Sequence, residues 1–212
     1  DGLPYTEDFE SYVASSSIGS SIDYCWNRFS SSTSTHDIYP YVSENYSYSG
    51  SNSIHMYGTE AIHSVLVLPQ FADTIPSLHL SFKMYRYSTT FMCPIMIGVM
   101  SDPDDLETFD TLVTIVSTRS NTWENFEIPL SSYTGNGKYI AIRTVEGEFC
   151  ENYIDDITVS SIADMNCQVP GNLVVGNVTT TGATVSWEDE YGSMWEVEYG
   201  PAGFTPGSGI SQ

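Results

Sequence analysis

Two groups of acidic residues, far apart in the sequence, are the strongest candidates for a chemical site. One is Glu7-Asp8-Phe9-Glu10, and the other is Asp155-Asp156. If the first and last strands of one domain lie side by side, these carboxylates converge, and without a positive partner they repel one another. The chain has 6 Lys and Arg residues against 27 Asp and Glu residues, so a hard cation is the economical partner.

Calcium is the cation that this pattern predicts. It takes about six to eight oxygen ligands, which carboxylates, amides and backbone carbonyls supply. Strand alternation sends neighbouring side chains to opposite faces, so the pattern leaves open whether Asp155 or Asp156 would face the ion. The alternative is that all these residues are solvated acids at strand ends.

Tyrosine is the second residue type that suggests a site, with fifteen in the chain. Some lie in a polar loop beside acids and amides, and others lie at the end of a predicted strand. A ring face beside oxygen acceptors is typical of a sugar-binding surface, but the same rings could equally pack on their own domain. The candidate ligand-binding residues are Tyr39, Tyr41, Tyr46, Tyr48, Tyr85 and Tyr87.

Catalytic motifs are absent from the sequence. It contains no G-x-S-x-G elbow, no H-E-x-x-H motif and no phosphate-binding glycine-rich loop. The four histidines are scattered. A glycosidase needs only two carboxylates, but in so acidic a chain the presence of two acids is no evidence for one. We therefore predict that the protein is not an enzyme.

The four cysteines are Cys25, Cys93, Cys150 and Cys167. They lack C-x-x-C spacing, which disfavours a zinc site. Free buried thiols and disulfides are both compatible with the sequence. If the strand after Cys93 and the strand before Cys150 are antiparallel neighbours, the two thiols meet at one end of the sheet, so this pair is the predicted disulfide.

The net charge of −21 and the pI of about 4.1 exclude some partners. Six cations cannot form the basic face that nucleic acid or an anionic membrane requires. No apolar run approaches the roughly eighteen residues of a membrane span, so we predict no membrane insertion. A polar, hydroxyl-rich and acidic composition favours an extracellular protein.

Hydrophobic periodicity predicts strands rather than helices. Residues 78–85 and 124–130 alternate between apolar and polar side chains, which is the pattern of half-buried strands. Residues 94–100 are apolar on both faces, as a covered strand would be. With glycine- and proline-rich connections between them, these strands indicate an all-β sandwich or jelly roll.

The composition changes after residue 159, and we predict two domains, 1–162 and 163–212. The second begins with a linker and continues into strand patterns that contain Trp187 and Trp195. These patterns are similar to the opening of a fibronectin type III-like domain. Such a domain needs about 100 residues, so we expect a truncated one here, with further domains of the same polypeptide beyond it.

An ordered set of segments in the first domain resembles the cleaved-adhesin and choice-of-anchor J family of Bacteroidetes surface proteins. The segments are LPYTEDFE (3–10), GSNSI (50–54), LHLSF (78–82), IGVMSDP (97–103), TWENFE (122–127), GKYIAIR (137–143) and NYIDDI (152–157). The resemblance implies a jelly-roll β-sandwich, distantly like MAM domains, that holds structural Ca²⁺. It also places Asn52 and Ser53 near the acidic edge. The expected metal ligands are then Asp8, Glu10, Asn52, Ser53, Asp155 and Asp156.

The expected function is that of a non-catalytic adhesin-like module, secreted or on the bacterial cell surface. Stabilised by calcium, it would bind a host or matrix protein or a glycan. Two alternatives remain open at this point: a carbohydrate-binding accessory module of a larger secreted hydrolase, and a structural spacer domain.

Overall fold

The computed structural model describes residues 2–14, 25–30, 40–145, 149–163, 171–180, 182–188, 197–201, 203–205 and 210–211. The chain divides into two compact units, Asp1–Ile162 and Ala163–Gln212. Within the described ranges, no helix has the length and apolar character needed to cross a membrane.

The first unit is the all-β jelly-roll sandwich that the sequence predicted. Its strands are β1 (Tyr5–Glu7), β2 (Asn27–Ser30), β3 (Tyr41–Ser43), β4 (Ser53–Gly58), β5 (Ser64–Val67), β6 (Leu78–Arg86), β7 (Ile95–Met100), β8 (Asp110–Ile115), β9 (Trp123–Pro129), β10 (Tyr139–Thr144) and β11 (Cys150–Ser161). Two short 3₁₀ helices, Ile75–Ser77 and Leu106–Thr108, lie in connections. One sheet has the order β3-β4-β11-β6-β9, and the other has the order β2-β5-β10-β7-β8.

Alternating apolar side chains fill the space between the sheets. Leu80, Phe82 and Met84 of β6 are fully or almost fully buried in the core, as are Ile54 of β4 and Ile97 of β7. Burying a side chain of this size stabilises the fold by roughly 1.5–3 kcal/mol. The intervening side chains of the first sheet therefore point to its other side, which we call the outer face.

β11 contains a bulge at the point where its partner strand changes. One edge pairs with β6, and the opposite edge pairs first with β4, through Cys150–Ile154, and then with β1, through Ile157–Val159. Asp155 and Asp156 lie between these two pairings, where the register with β6 shifts, and Asp156 has a φ of 47°. Such a bulge adds a residue and redirects side chains. The first and last strands of the unit are thus neighbours.

The Cys93–Cys150 disulfide joins the two sheets at one end of the sandwich. Cys93 precedes β7 of one sheet and Cys150 begins β11 of the other, with their Cα atoms 5.0 Å apart. Asn152 and Arg86, which are paired in register, are buried beside it. Asn152 Nδ2 donates a hydrogen bond to the Cys93 carbonyl (3.1 Å) and Arg86 Nη1 to the Phe91 carbonyl (2.7 Å).

The described residues of the second unit include two antiparallel strand pairs. β12 (Gly171–Gly176) pairs with β13 (Thr184–Glu188), and β14 (Glu198–Tyr199) pairs with β15 (Ile210–Ser211). Leu173 and Val174 are more than half exposed. The fibronectin type III-like character of this unit stays a prediction, and Trp195 lies outside the described residues.

Replacing both bridged cysteines tests the contribution of the disulfide. The variant Cys93→Ser, Cys150→Ser removes the covalent link between two residues that are 57 positions apart in the sequence. The free energy of unfolding of the protein should then fall by about 2–5 kcal/mol. Urea denaturation measures this change. The control is Cys25→Ser, because Cys25 is exposed and unpaired, and this variant should unfold like the parent. Equal effects of the two changes would contradict the prediction.

Candidate functional site

Asp155 attaches the loop between β3 and β4, residues 44–52, to the middle of β11. Its side chain is fully buried, and its Oδ2 accepts hydrogen bonds from the backbone N–H groups of Tyr48 (2.7 Å) and Ser49 (3.1 Å). Its Oδ1 accepts the N–H of Asp156 (2.7 Å), while Asp156 Oδ1 accepts the Ser49 hydroxyl (2.6 Å). Both carboxylates therefore bind Ser49 at the bulge, whereas simple strand alternation would have separated them.

Burial raises the pKa of Asp155 to about 6, which the three backbone N–H groups partly oppose by stabilising the ionised form. The N–H donors are therefore the partners that make a buried carboxylate tolerable at neutral pH. The Asp155 carboxylate therefore does not need a lysine or arginine as its partner.

Glu10, in the N-terminal segment, holds the other end of the 44–52 loop. Glu10 Oε1 accepts the N–H groups of Ser51 (2.8 Å) and Asn52 (2.6 Å). Asn52 Nδ2 in turn donates to the carbonyls of Phe9 and Tyr12, both at 3.0 Å. Gly50 has a φ of 54°, and a Cβ on it would lie 2.3 Å from Glu10 Cδ, so glycine is required for this approach.

The residues predicted as metal ligands thus surround one loop, with two of them making only local bonds. Asp8 Oδ1 accepts the N–H of Glu10 (3.1 Å), and the Ser53 hydroxyl donates to the Tyr46 carbonyl. In the part of the chain that the structure describes, no group of three or more His, Cys, Asp or Glu side chains could hold a metal ion. The carboxylates of Glu10, Asp155 and Asp156 accept hydrogen bonds from N–H and O–H donors, and calcium binding by these residues stays a prediction.

A row of five aromatic side chains crosses the outer face of the first sheet. The register places one on each strand, in the order β3-β4-β11-β6-β9. The members of the row are Tyr41, His55, Tyr153, Tyr85 and Trp123. Neighbouring ring centroids are 4.4–6.2 Å apart, which is contact distance for aromatic pairs.

The 44–52 loop lies on this aromatic row. Tyr46 stacks on Tyr85 with centroids 4.7 Å apart and also contacts Tyr153 (4.8 Å) and Tyr87 (5.7 Å). Tyr48 contacts Trp123 at 5.9 Å. Most of these rings therefore pack on the protein itself.

Tyr48 and Tyr87 are the candidates that stay open to solvent, with exposed fractions of 50% and 45%. Lys83 Nζ lies 4.9 Å from the centroid of the Tyr48 ring. Tyr85, by contrast, is only 9% exposed. The remaining candidate, Tyr39, lies outside the described residues.

A groove of about 320 Å³ opens beside Tyr87, at the disulfide end of the sandwich. Tyr87 and Phe91 line it from the loop between β6 and β7, together with the hydroxyl residues 88–90. Phe149 and Glu151 line it from the start of β11, and Asn121 from the segment before β9. Ring faces and polar groups are therefore combined in one concave site.

Hydrogen bonds hold the walls of the groove in place. The Tyr87 N–H donates to the Glu151 carbonyl (3.0 Å), and the Tyr85 hydroxyl donates to Asn121 Oδ1 (3.1 Å). The Phe91 N–H donates to Ser88 Oγ (2.9 Å). The disulfide, Asn152 and Arg86 also hold the loop between β6 and β7 and the start of β11.

Of the eight described residues that line the groove, Tyr87 alone belongs to the set predicted from sequence, and three of the others, Asn121, Phe149 and Glu151, come from other parts of the chain. They lie on segments that no local pattern connects. One signal was available: the predicted Cys93–Cys150 pair would bring the neighbours Phe91 and Phe149 to the same end of the sandwich.

No protein-family model and no curated protein matches the chain. Solved structures do match its fold. The K1 cleaved adhesin domain of Lys-gingipain from Porphyromonas gingivalis W83 is similar over 76% of this chain and 99% of that one, at 13% identity and a TM-score of 0.56. The K2 cleaved adhesin domain of Lys-gingipain is similar over 74% of this chain and 98% of that one, at 12% identity and a TM-score of 0.55. The K3 cleaved adhesin domain of Lys-gingipain from P. gingivalis W83 is similar over 74% of this chain and 98% of that one, at 16% identity and a TM-score of 0.51. At these identities the likeness shows a shared fold.

Removing the Asp155 carboxylate tests its hold on the 44–52 loop. Asp155→Ala leaves the Tyr48 and Ser49 N–H groups without their acceptor, so the free energy of unfolding should fall by about 2–4 kcal/mol. Hydrogen exchange should also speed up at these two amides. The control is Asp110→Ala, an exposed carboxylate on β8, which should change stability by less than about 0.5 kcal/mol. Unchanged exchange in Asp155→Ala would show that the loop is held by other contacts.

Proposed function

We propose that the first unit is a non-catalytic, adhesin-like binding module that holds an extracellular protein or glycan in the groove beside Tyr87. The observation that carries this proposal is the groove itself. Exposed rings of Tyr87, Phe91 and Phe149 share it with polar side chains, and a disulfide and two buried polar residues hold its walls. A rigid site of this kind binds with little ordering cost.

Two observations support a location outside the cell, secreted or on the bacterial surface. The Cys93–Cys150 disulfide persists in oxidising compartments and is rare in the cytosol. The fold is also that of cleaved adhesin domains.

The groove favours binding over catalysis. Among the described residues that line it, Glu151 is the single carboxylate, whereas a glycosidase uses a pair of carboxylates flanking the bond to be cleaved. Aromatic rings with hydroxyl and amide groups also suit a carbohydrate-binding module of a larger secreted hydrolase. That is the second candidate function. Under either proposal, further domains of the polypeptide would supply the context.

Calcium stays a prediction, and the proposed binding function does not depend on it. If the prediction is right, EGTA lowers the melting temperature of the protein and added CaCl₂ restores it. If the melting temperature is unchanged and elemental analysis finds no metal, the N–H and O–H donors alone balance Glu10, Asp155 and Asp156. Mg²⁺ in place of CaCl₂ is the control for a general salt effect.

The binding function is tested by probing the 212-residue protein against arrays of purified extracellular proteins and glycans. We expect binding to at least one class, and the double variant Phe91→Ala, Phe149→Ala should lose it. Tyr48→Ala, which removes an exposed ring from a different part of the unit, should keep it. Absence of binding on both arrays would leave the spacer function. Release of reducing sugar from a bound glycan would show catalysis and contradict the proposal.

A further inference from the structure

We infer that the groove beside Tyr87 takes a short stretch of an uncharged glycan. This inference rests on the proposed binding function and names the ligand class for it. Three properties of the groove lead to it: its exposed rings, its open hydrogen-bonding groups and its charge.

The exposed rings suit the apolar face of a sugar. Phe149 is 54% exposed, Tyr87 45% and Phe91 38%, although aromatic residues of this size are usually buried. A pyranose presents a face of C–H groups that packs on an aromatic ring and a rim of hydroxyl groups that needs polar partners. The groove offers its rings from two separate segments, so more than one face of a sugar can be contacted.

The polar lining matches the hydroxyl rim. The Glu151 carboxylate is half-buried and has no hydrogen-bond partner within the described ranges, so it is available to accept hydroxyl donors. Asn121 uses its Oδ1 to accept from Tyr85, which leaves Nδ2 to donate. The hydroxyls of Thr89 and Thr90 can do both. An apolar peptide side chain would leave these groups unpaired, at a cost in affinity.

Charge excludes acidic sugars from the groove. The residues that the structure describes along it include no lysine or arginine, and nearby Arg86 is 6% exposed, with Nη1 bound to the Phe91 carbonyl. Burial already raises the pKa of Glu151, which shows that its negative charge is poorly solvated. A carboxylate or sulfate on the ligand would add a second negative charge beside it. The net charge of −21 repels such a ligand at longer range.

A basic peptide is the competing ligand that this charge would attract. It is less well matched, because one carboxylate among hydroxyls, an amide and three rings gives a lysine or arginine side chain a single ionic partner. The modes of peptide recognition that use an apolar groove or a cluster of charges do not match the described lining, which mixes rings with hydroxyls and carries one carboxylate.

The inference is tested with an array carrying neutral, sialylated and sulfated glycans and Lys- and Arg-rich peptides, followed by calorimetric titration of the best neutral glycan. We expect binding to neutral glycans alone. Phe149→Ala and Tyr87→Ala should each weaken binding by about tenfold, as the loss of one ring contact implies. Tyr48→Ala should leave the affinity within about twofold, and matching melting temperatures show that the variants are folded.

The possible failures are distinguishable. Binding confined to acidic glycans, basic peptides or extracellular proteins would overturn the ligand class and leave the proposed binding function standing. Neutral-glycan binding that Phe149→Ala and Tyr87→Ala leave unchanged would overturn the assignment to this groove. No binding to any probe would overturn the proposed function as well.

Discussion

The buried carboxylate of Asp155 is the interaction on which the outer face of the first sheet depends. At this residue β11 exchanges one partner strand for another, and the resulting bulge turns two carboxylates toward the same loop. A buried negative charge is tolerated only when donors surround it, and here backbone N–H groups provide them. The requirement works in both directions, because Tyr48 and Ser49 lie outside the sheets and need an acceptor. The carboxylate at the bulge therefore holds the 44–52 loop in position, and the N–H groups of the loop stabilise the carboxylate.

Attachment of the 44–52 loop determines which part of the aromatic row is covered. Tyr46 is laid on Tyr85 and Tyr153, so the centre of the row is covered and serves packing. Burial also lowers the pKa of His55 to about 4, which keeps its ring neutral within the row. Tyr87 lies at the margin of the covered area, where it contacts Tyr46 on one side and the groove on the other. The acidic bulge and the groove are thus linked through two tyrosines.

The acids, the tyrosines and the cysteines were each visible in the sequence, but their roles were not equally predictable. The disulfide partners and the position of Tyr87 directly after β6 follow from strand ends, which periodicity locates well, whereas the binding role of Tyr87 is a proposal. That the acids share a cation stays a prediction, and the donors that the structure places beside them are backbone N–H groups and the Ser49 hydroxyl. A sequence does not show which loop N–H groups a fold leaves unpaired, so the partner of a buried carboxylate cannot be derived from residue types.

By itself, the sequence determined the fold class of the first unit and the faces of its strands. The alternation in β6 decides which side chains enter the core, because successive residues of a strand point to opposite sides. Only the tertiary structure decided the register that aligns five aromatic residues from five strands, and the meeting of Asn121 with Phe149 and Glu151. Local patterns encode which face a residue occupies. Pairing between distant strands depends instead on the packing and hydrogen bonding of the whole sandwich.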